Sequence, residues 1–108
     1  MKSFNDREKA YEKKFAHDEE LKFKAAARRN KLLGQWAAEK IGLTGEEAGN
    51  YAKGVVLSDL EEPGEEDVFR KIRGDFDEAG VNQSDHQIRR AMEELMDKAV
   101  RQVEDERK

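Results

Sequence analysis

The sequence predicts an all-α fold: a four-helix bundle carrying an N-terminal arm that is flexible or partly helical. Apolar residues recur at spacings of three and four from about residue 18 to residue 103, and nothing alternates with period two over a useful length. Helix-starting and helix-stopping residues bracket four such runs. The connections between them are short and contain glycine, which favours antiparallel neighbours.

The first helix is expected over 18–41. Leu21, Ala25, Leu32, Leu33 and Trp36 share one side, Asp18 is a candidate cap, and Gly42 stands where a left-handed residue ends a helix. A second helix, over 44–61, opens with Thr44 and Glu47 spaced as a capping box and turns Ala48, Tyr51, Ala52, Val55 and Val56 to one face. Pro63 and Gly64 close it off. The third, over 65–79, begins with three acids suited to the positive end of the helix dipole and carries Val68, Phe69, Ile72 and Phe76. Gly80 ends it. The fourth, over 84–103, starts with the capping-box pair Ser84 and Gln87 and lines up Ile88, Met92, Leu95, Ala99 and Val103. Gly34, Gly54 and Gly74 fall inside proposed helices, at either close helix crossings, kinks or sites of lowered stability.

A chain of 108 residues supports one modest core, not two. Because 43% of the residues are charged and only 7% are aromatic, the few apolar residues must be well placed to bury anything. The net charge of −4 argues against generic binding to nucleic acid or to an anionic membrane. Without cysteine there is no disulfide, thiolate nucleophile or cysteine-bound zinc. The N-terminus lacks an apolar export segment and no run is long enough to span a bilayer, so a cytoplasmic protein is the default expectation. Charge is uneven. Residues 1–43 carry eleven Lys or Arg against seven Asp or Glu, and residues 44–83 carry four against eleven. Such asymmetry either guides a partner or is neutralised inside the fold.

No catalytic set, metal site or cofactor is expected. His17-Asp18-Glu19-Glu20 spreads its side chains around a helix instead of converging them, and no second His lies three or four residues away. His86 reads as an exposed helix start. No glycine-rich phosphate loop exists, and Ser3, Ser58 and Ser84 have no visible base. The basic run Lys22, Lys24, Arg28, Arg29 and Lys31 offers contacts for RNA phosphate or for a nucleotide, or equally forms a solvated face pairing with the acidic middle. Trp36 reads as core.

Residues 1–17 behave differently from the rest. On a helix Phe4, Tyr11 and Phe15 fall at about 40°, 20° and 60°, one narrow aromatic stripe among charges. Burying three aromatics falls short of offsetting the entropy of ordering seventeen backbones. The arm is therefore expected to be frayed when free and helical in a protein groove. Its stripe runs on in angle to Arg29, Leu33 and Trp36, so it can grow as an extension of the first helix.

The run FNDREKAYEKKFAHDEELKFKAAARRNKLLGQWAAEKIGLTGEEAGNYAKGVV, and the chain through its last helix, resembles the zeta subunit of the alphaproteobacterial F-type ATP synthase. Its most distinctive part is KFAHDEELKFKAAARRNKLLGQWAAE, residues 14–39. Phe4, Arg7, Glu8, Ala10 and Glu12 also resemble the inhibitory stretch of the mitochondrial ATP synthase inhibitor protein. The resemblance implies an inhibitor of ATP hydrolysis in which a four-helix body, 18–108, carries an inhibitory arm, 1–17. The arm would enter the catalytic interface of the α and β subunits and reach toward γ. Phe4, Tyr11 and Phe15 would anchor it, Arg7, Lys13 and Lys14 would pair with acids lining the groove, and Glu8 would join the same contact. Location follows from the partner: the cytoplasmic face of the inner membrane, held there through the ATP synthase. Weak purine-nucleotide binding through Lys22, Lys24, Arg28, Arg29 and Lys31 is a further implication. A nucleotide-sensing helical domain and a non-inhibitory helical adaptor are the alternatives. His17, near the hinge of the arm, is a candidate pH sensor.

Overall fold

A computed structural model describes residues 18–61 and 64–106, and the arm residues 1–17 lie outside that range. Four helices follow in order: α1 (Glu19–Ile41), α2 (Gly45–Glu61), α3 (Glu65–Ala79) and α4 (Asp85–Glu106). Among the described residues there is no strand.

Each helix end has a physical cause. The Asp18 carboxylate accepts from the Leu21 amide at 3.2 Å, and Glu19 and Glu20 follow it in the first turn. At the other end Gly42, with φ of +93°, donates to the Ala38 and Glu39 carbonyls while the Leu43 amide also reaches Ala38. This is the left-handed ending that satisfies otherwise orphaned carbonyls. Gly80 repeats it after α3, with Val81 donating to Phe76 at 2.8 Å. At the start of α4 the Ser84 amide donates to Gln87 Oε1 at 2.8 Å and the Gln87 amide donates to Ser84 Oγ at 3.1 Å, a complete capping box. α4 runs three residues beyond the expected 103, to Glu106, which pairs with Arg28 of α1.

The box expected at Thr44 and Glu47 does not form. Only the Thr44 carbonyl takes part, accepting from Ala48 at 3.4 Å. Gly45 opens α2 with φ of +55°, a left-handed first residue where a capping box requires an ordinary helical one.

The four helices run alternately up and down. Asn30 meets Asp59 and Gly34 meets Ala52, which sets α1 antiparallel to α2. Tyr51 bonds Asp75, Arg89 bonds Glu66, and Val103 packs with Leu21 and Ala25, which orders the remaining neighbours. α1 packs against all three other helices, most extensively α2 and α4, whereas the backbones of α2 and α4 do not closely approach each other. The main core joins Leu33, Ala37, Val55, Val68, Phe69, Ile72, Phe76, Ile88, Ala91 and Met92. Trp36, half-buried, lies against Phe76 with ring centroids 5.6 Å apart at 56°. A second cluster of Leu21, Ala25 and Val103 ties the start of α1 to the end of α4.

The three interior glycines separate into two kinds. A Cβ on Gly34 would stand 2.6 Å from the Ala52 Cα, so α1 and α2 cross there at a distance only glycine allows. Nothing lies within 4 Å of a Cβ built on Gly54 or Gly74. Alanine at these positions therefore has opposite effects. Gly34→Ala is expected to lower stability by about 1–3 kcal/mol through backbone displacement, whereas Gly54→Ala and Gly74→Ala each raise it by up to about 1 kcal/mol through helix propensity; urea unfolding of the three variants checks all three signs.

Candidate functional site

The arm residues Phe4, Arg7, Glu8, Tyr11, Lys13, Lys14 and Phe15, with His17 behind them, lie outside the described residues. What the structure defines is the root from which they leave. Asp18 is extended, with φ −117° and ψ 103°, and its side chain is spent on the cap. α1 thus begins as a capped helix at Glu19, and continuing it backward requires Asp18 to surrender both its conformation and its hydrogen bond. The stripe on which the aromatics would continue is already committed to the body: Arg29 and Leu33 are buried and Trp36 packs on Phe76.

The five cations of the basic run from Lys22 to Lys31 do not form one surface. Lys22 pairs with Glu19 at 3.6 Å and Lys24 with Glu20 at 3.3 Å, both exposed pairs within the helix. Arg28 reaches α4, bonding Gln102 at 2.9 Å and Glu106 at 2.6 Å. Arg29 is only 2% exposed: its Nε donates to Asn30 Oδ1 at 2.7 Å and its Nη1 lies 3.5 Å from Glu65. Lys31 is exposed. Lys24, Arg28 and Lys31 come together along an open groove of about 440 Å³ whose other lining residues are Phe23, Ala27, Val56, Val103 and Glu106. Of the basic run, Lys24, Arg28 and Lys31 line this groove. Lys22 does not line the groove, and Arg29 points inward.

Arg29 belongs to a polar network that neither periodicity nor composition reveals. Asn30, fully buried, donates through Nδ2 to Asp59 Oδ2 at 2.7 Å, and Asp59 Oδ1 accepts from the Gly64 amide at 3.1 Å. The carboxylate thus ties α1 to the connection entering α3, with Arg29 reaching Glu65 in the first turn beyond it. No buried side-chain nitrogen or oxygen among the described residues lacks a partner.

Polar links continue along the other seams. The Tyr51 hydroxyl donates to Asp75 Oδ2 at 2.7 Å, and burial together with that carboxylate pushes the phenol well above its ordinary value. Lys71 shares Asp75 at 3.1 Å and stands 5.4 Å from the Tyr51 ring. Arg89 holds Glu66 through both carboxylate oxygens and lies 4.0 Å over the Phe69 ring, so Glu66 is kept below the usual carboxylate range. These pairs have intramolecular partners and close the bundle; they are not arranged as acid and base around a pocket. Among the described residues no three His, Asp or Glu could hold a metal ion, and no helix is long and apolar enough to cross a membrane.

Sequence reasoning missed three exposed apolar side chains, of which Phe23 lines the groove. Phe23, Leu57 and Leu60 are 59%, 58% and 50% exposed. The available signal was an apolar residue lying off its helix's buried stripe, as Phe23 lies off Leu21 and Ala25.

Residues 1–102 are matched by the family model described as ATPase inhibitor subunit zeta. A structure determined in solution by NMR is similar over 80% of this chain and 98% of its own, at 48% identity and a TM-score of 0.69. No curated protein sequence matches.

The Asp59 link has a measurable worth. Asp59→Ala leaves the buried Asn30 amide and the Gly64 amide without their acceptor, and is expected to cost about 2–3 kcal/mol, read as a lowered midpoint in thermal or urea unfolding. Exposed Glu19→Ala should change the unfolding free energy by less than about 0.5 kcal/mol.

Proposed function

Because the chain belongs to the ATPase inhibitor subunit zeta family, we propose that it restrains ATP hydrolysis by the F-type ATP synthase through residues 1–17, lodged at the catalytic interface of the α and β subunits near γ. What supports this reading is that the matched stretch, 1–102, takes in the arm together with the body. The described helices bury their apolar faces against one another. The arm's aromatic stripe is free in sequence terms to serve another surface.

Such an inhibitor needs no chemistry of its own. A rotary motor passes through successive conformations of its catalytic interface, and a wedge that binds one of them better than the next raises the barrier to leaving it. Phe4, Tyr11 and Phe15 are the anchors of the wedge. Arg7, Lys13 and Lys14 meet acids lining the interface, and Glu8 meets a cation there. The body limits how far the arm can travel and keeps it close to its site.

The arm carries the inhibition in this account. Removing residues 2–17 is expected to raise the concentration needed to inhibit the cognate ATPase at least about a hundredfold, the loss of several buried anchors, while the helical circular dichroism and unfolding midpoint of the remaining body stay close to those of the full chain. Full inhibition by the shortened protein would contradict the reading.

A further inference from the structure

The groove on α1 has a composition unlike the rest of the body. α2 and α4 each pack on α1 but leave its outer face open between them, so Val56 and Val103 stand as opposite walls over Lys24, Ala27, Arg28 and Lys31. From Phe23 to Lys31 the floor extends about 12 Å, two turns of helix. Phe23, in the lining, and Leu60, one helical turn beyond Val56 on α2, are both at least half exposed. Three cations and one acid thus lie along an apolar trough; Glu106 pairs with Arg28 at 2.6 Å, which leaves Lys24 and Lys31 as the charges no groove residue answers, on a chain whose net charge is −4.

We propose that this groove docks an acidic, amphipathic helix on the catalytic sector of the ATP synthase, seating the body beside the site that the arm enters. The proposal rests on the inhibitory reading above. Charge selects the occupant: carboxylates on one face of such a helix meet Lys24 and Lys31, with Arg28 held beside them by Glu106, while its apolar residues meet Phe23, Ala27, Val56 and Val103. This chain's own arm is the wrong ligand, since residues 1–17 carry five Lys or Arg against three Asp or Glu. Position agrees as well. Phe23 lies just over one turn past the Asp18 cap, so the groove opens at the end of the body from which the arm departs.

Lys24→Glu/Lys31→Glu in the full chain tests the charges, and Phe23→Ala/Leu60→Ala tests the apolar lip; all four side chains are exposed, so unfolding midpoints should be unchanged. Each double variant is expected to need about tenfold more protein for half-maximal inhibition, with inhibition at saturation unaltered because the arm is intact. Raising the salt should weaken the parent protein toward the charge-reversed variant. Equal half-maximal concentrations for parent and both variants overturn the proposal. So does a dimer of the parent protein, seen by sedimentation, that charge reversal dissolves without affecting inhibition, because the occupant is then a second copy. Groove amides that shift on deletion of residues 2–17 in the isolated protein overturn it in favour of the arm. Binding to the immobilised catalytic sector separates this proposal from the one beneath it. A parent protein that binds through Lys24 and Lys31 yet fails to inhibit removes the inhibitory reading and keeps the groove, whereas binding that is absent or indifferent to charge reversal removes the groove.

Discussion

The approach of α1 to α2 at Gly34 is the constraint from which the rest of the body follows. With no Cβ at that point the two backbones close to a separation that any other residue would prevent. One turn earlier on α1, the same approach brings buried Asn30 within 2.7 Å of Asp59. That carboxylate then holds the amide of Gly64 and so fixes where α3 begins. Arg29, drawn inward beside Asn30, reaches Glu65 in the first turn of α3. A close crossing thus becomes a positioned third helix through one continuous set of hydrogen bonds. Partial satisfaction of such a network would be costly, since each buried polar group left unpaired loses its hydration without replacement.

Much of this fold was legible because local and tertiary preferences agree. Val68, Phe69, Ile72 and Phe76 fall on one stripe and all are buried; Ser84 and Gln87 form the box their spacing announces. Where the sequence misled, a backbone conformation or a long-range partner intervened. Thr44 and Glu47 have the same spacing as Ser84 and Gln87, but a left-handed Gly45 between them breaks the geometry. Arg29 reads as one more surface cation because its partners, Asn30 excepted, are distant in sequence. The glycines at 34, 54 and 74 look alike until the helix opposite each is known. The groove was half legible: Lys24, Arg28 and Lys31 were marked as a basic face, yet the walls at Val56 and Val103 come from helices whose placement no spacing rule supplies.

Charge divides labour within the molecule. The acidic middle is partly answered by the cations of α1, as with Arg29 and Glu65, so some of the asymmetry along the chain serves the fold. The remainder is distributed to surfaces: a cationic trough on α1, and ahead of Asp18 a segment of opposite sign to the chain as a whole. An inhibitor organised this way relies on location. On the proposed reading the body supplies order and proximity, and a segment acting on the motor need not be stable alone, because a partner surface can drive its ordering.

A photoreactive amino acid placed at position 4, 11 or 15, with irradiation of the ATP synthase during ATP hydrolysis, tests the central claim most directly. The account predicts covalent adducts to the α and β subunits from positions 11 and 15 and to γ from position 4. Adducts confined to this chain's own four helices would contradict it, for the aromatic stripe would then be part of the body and not the wedge.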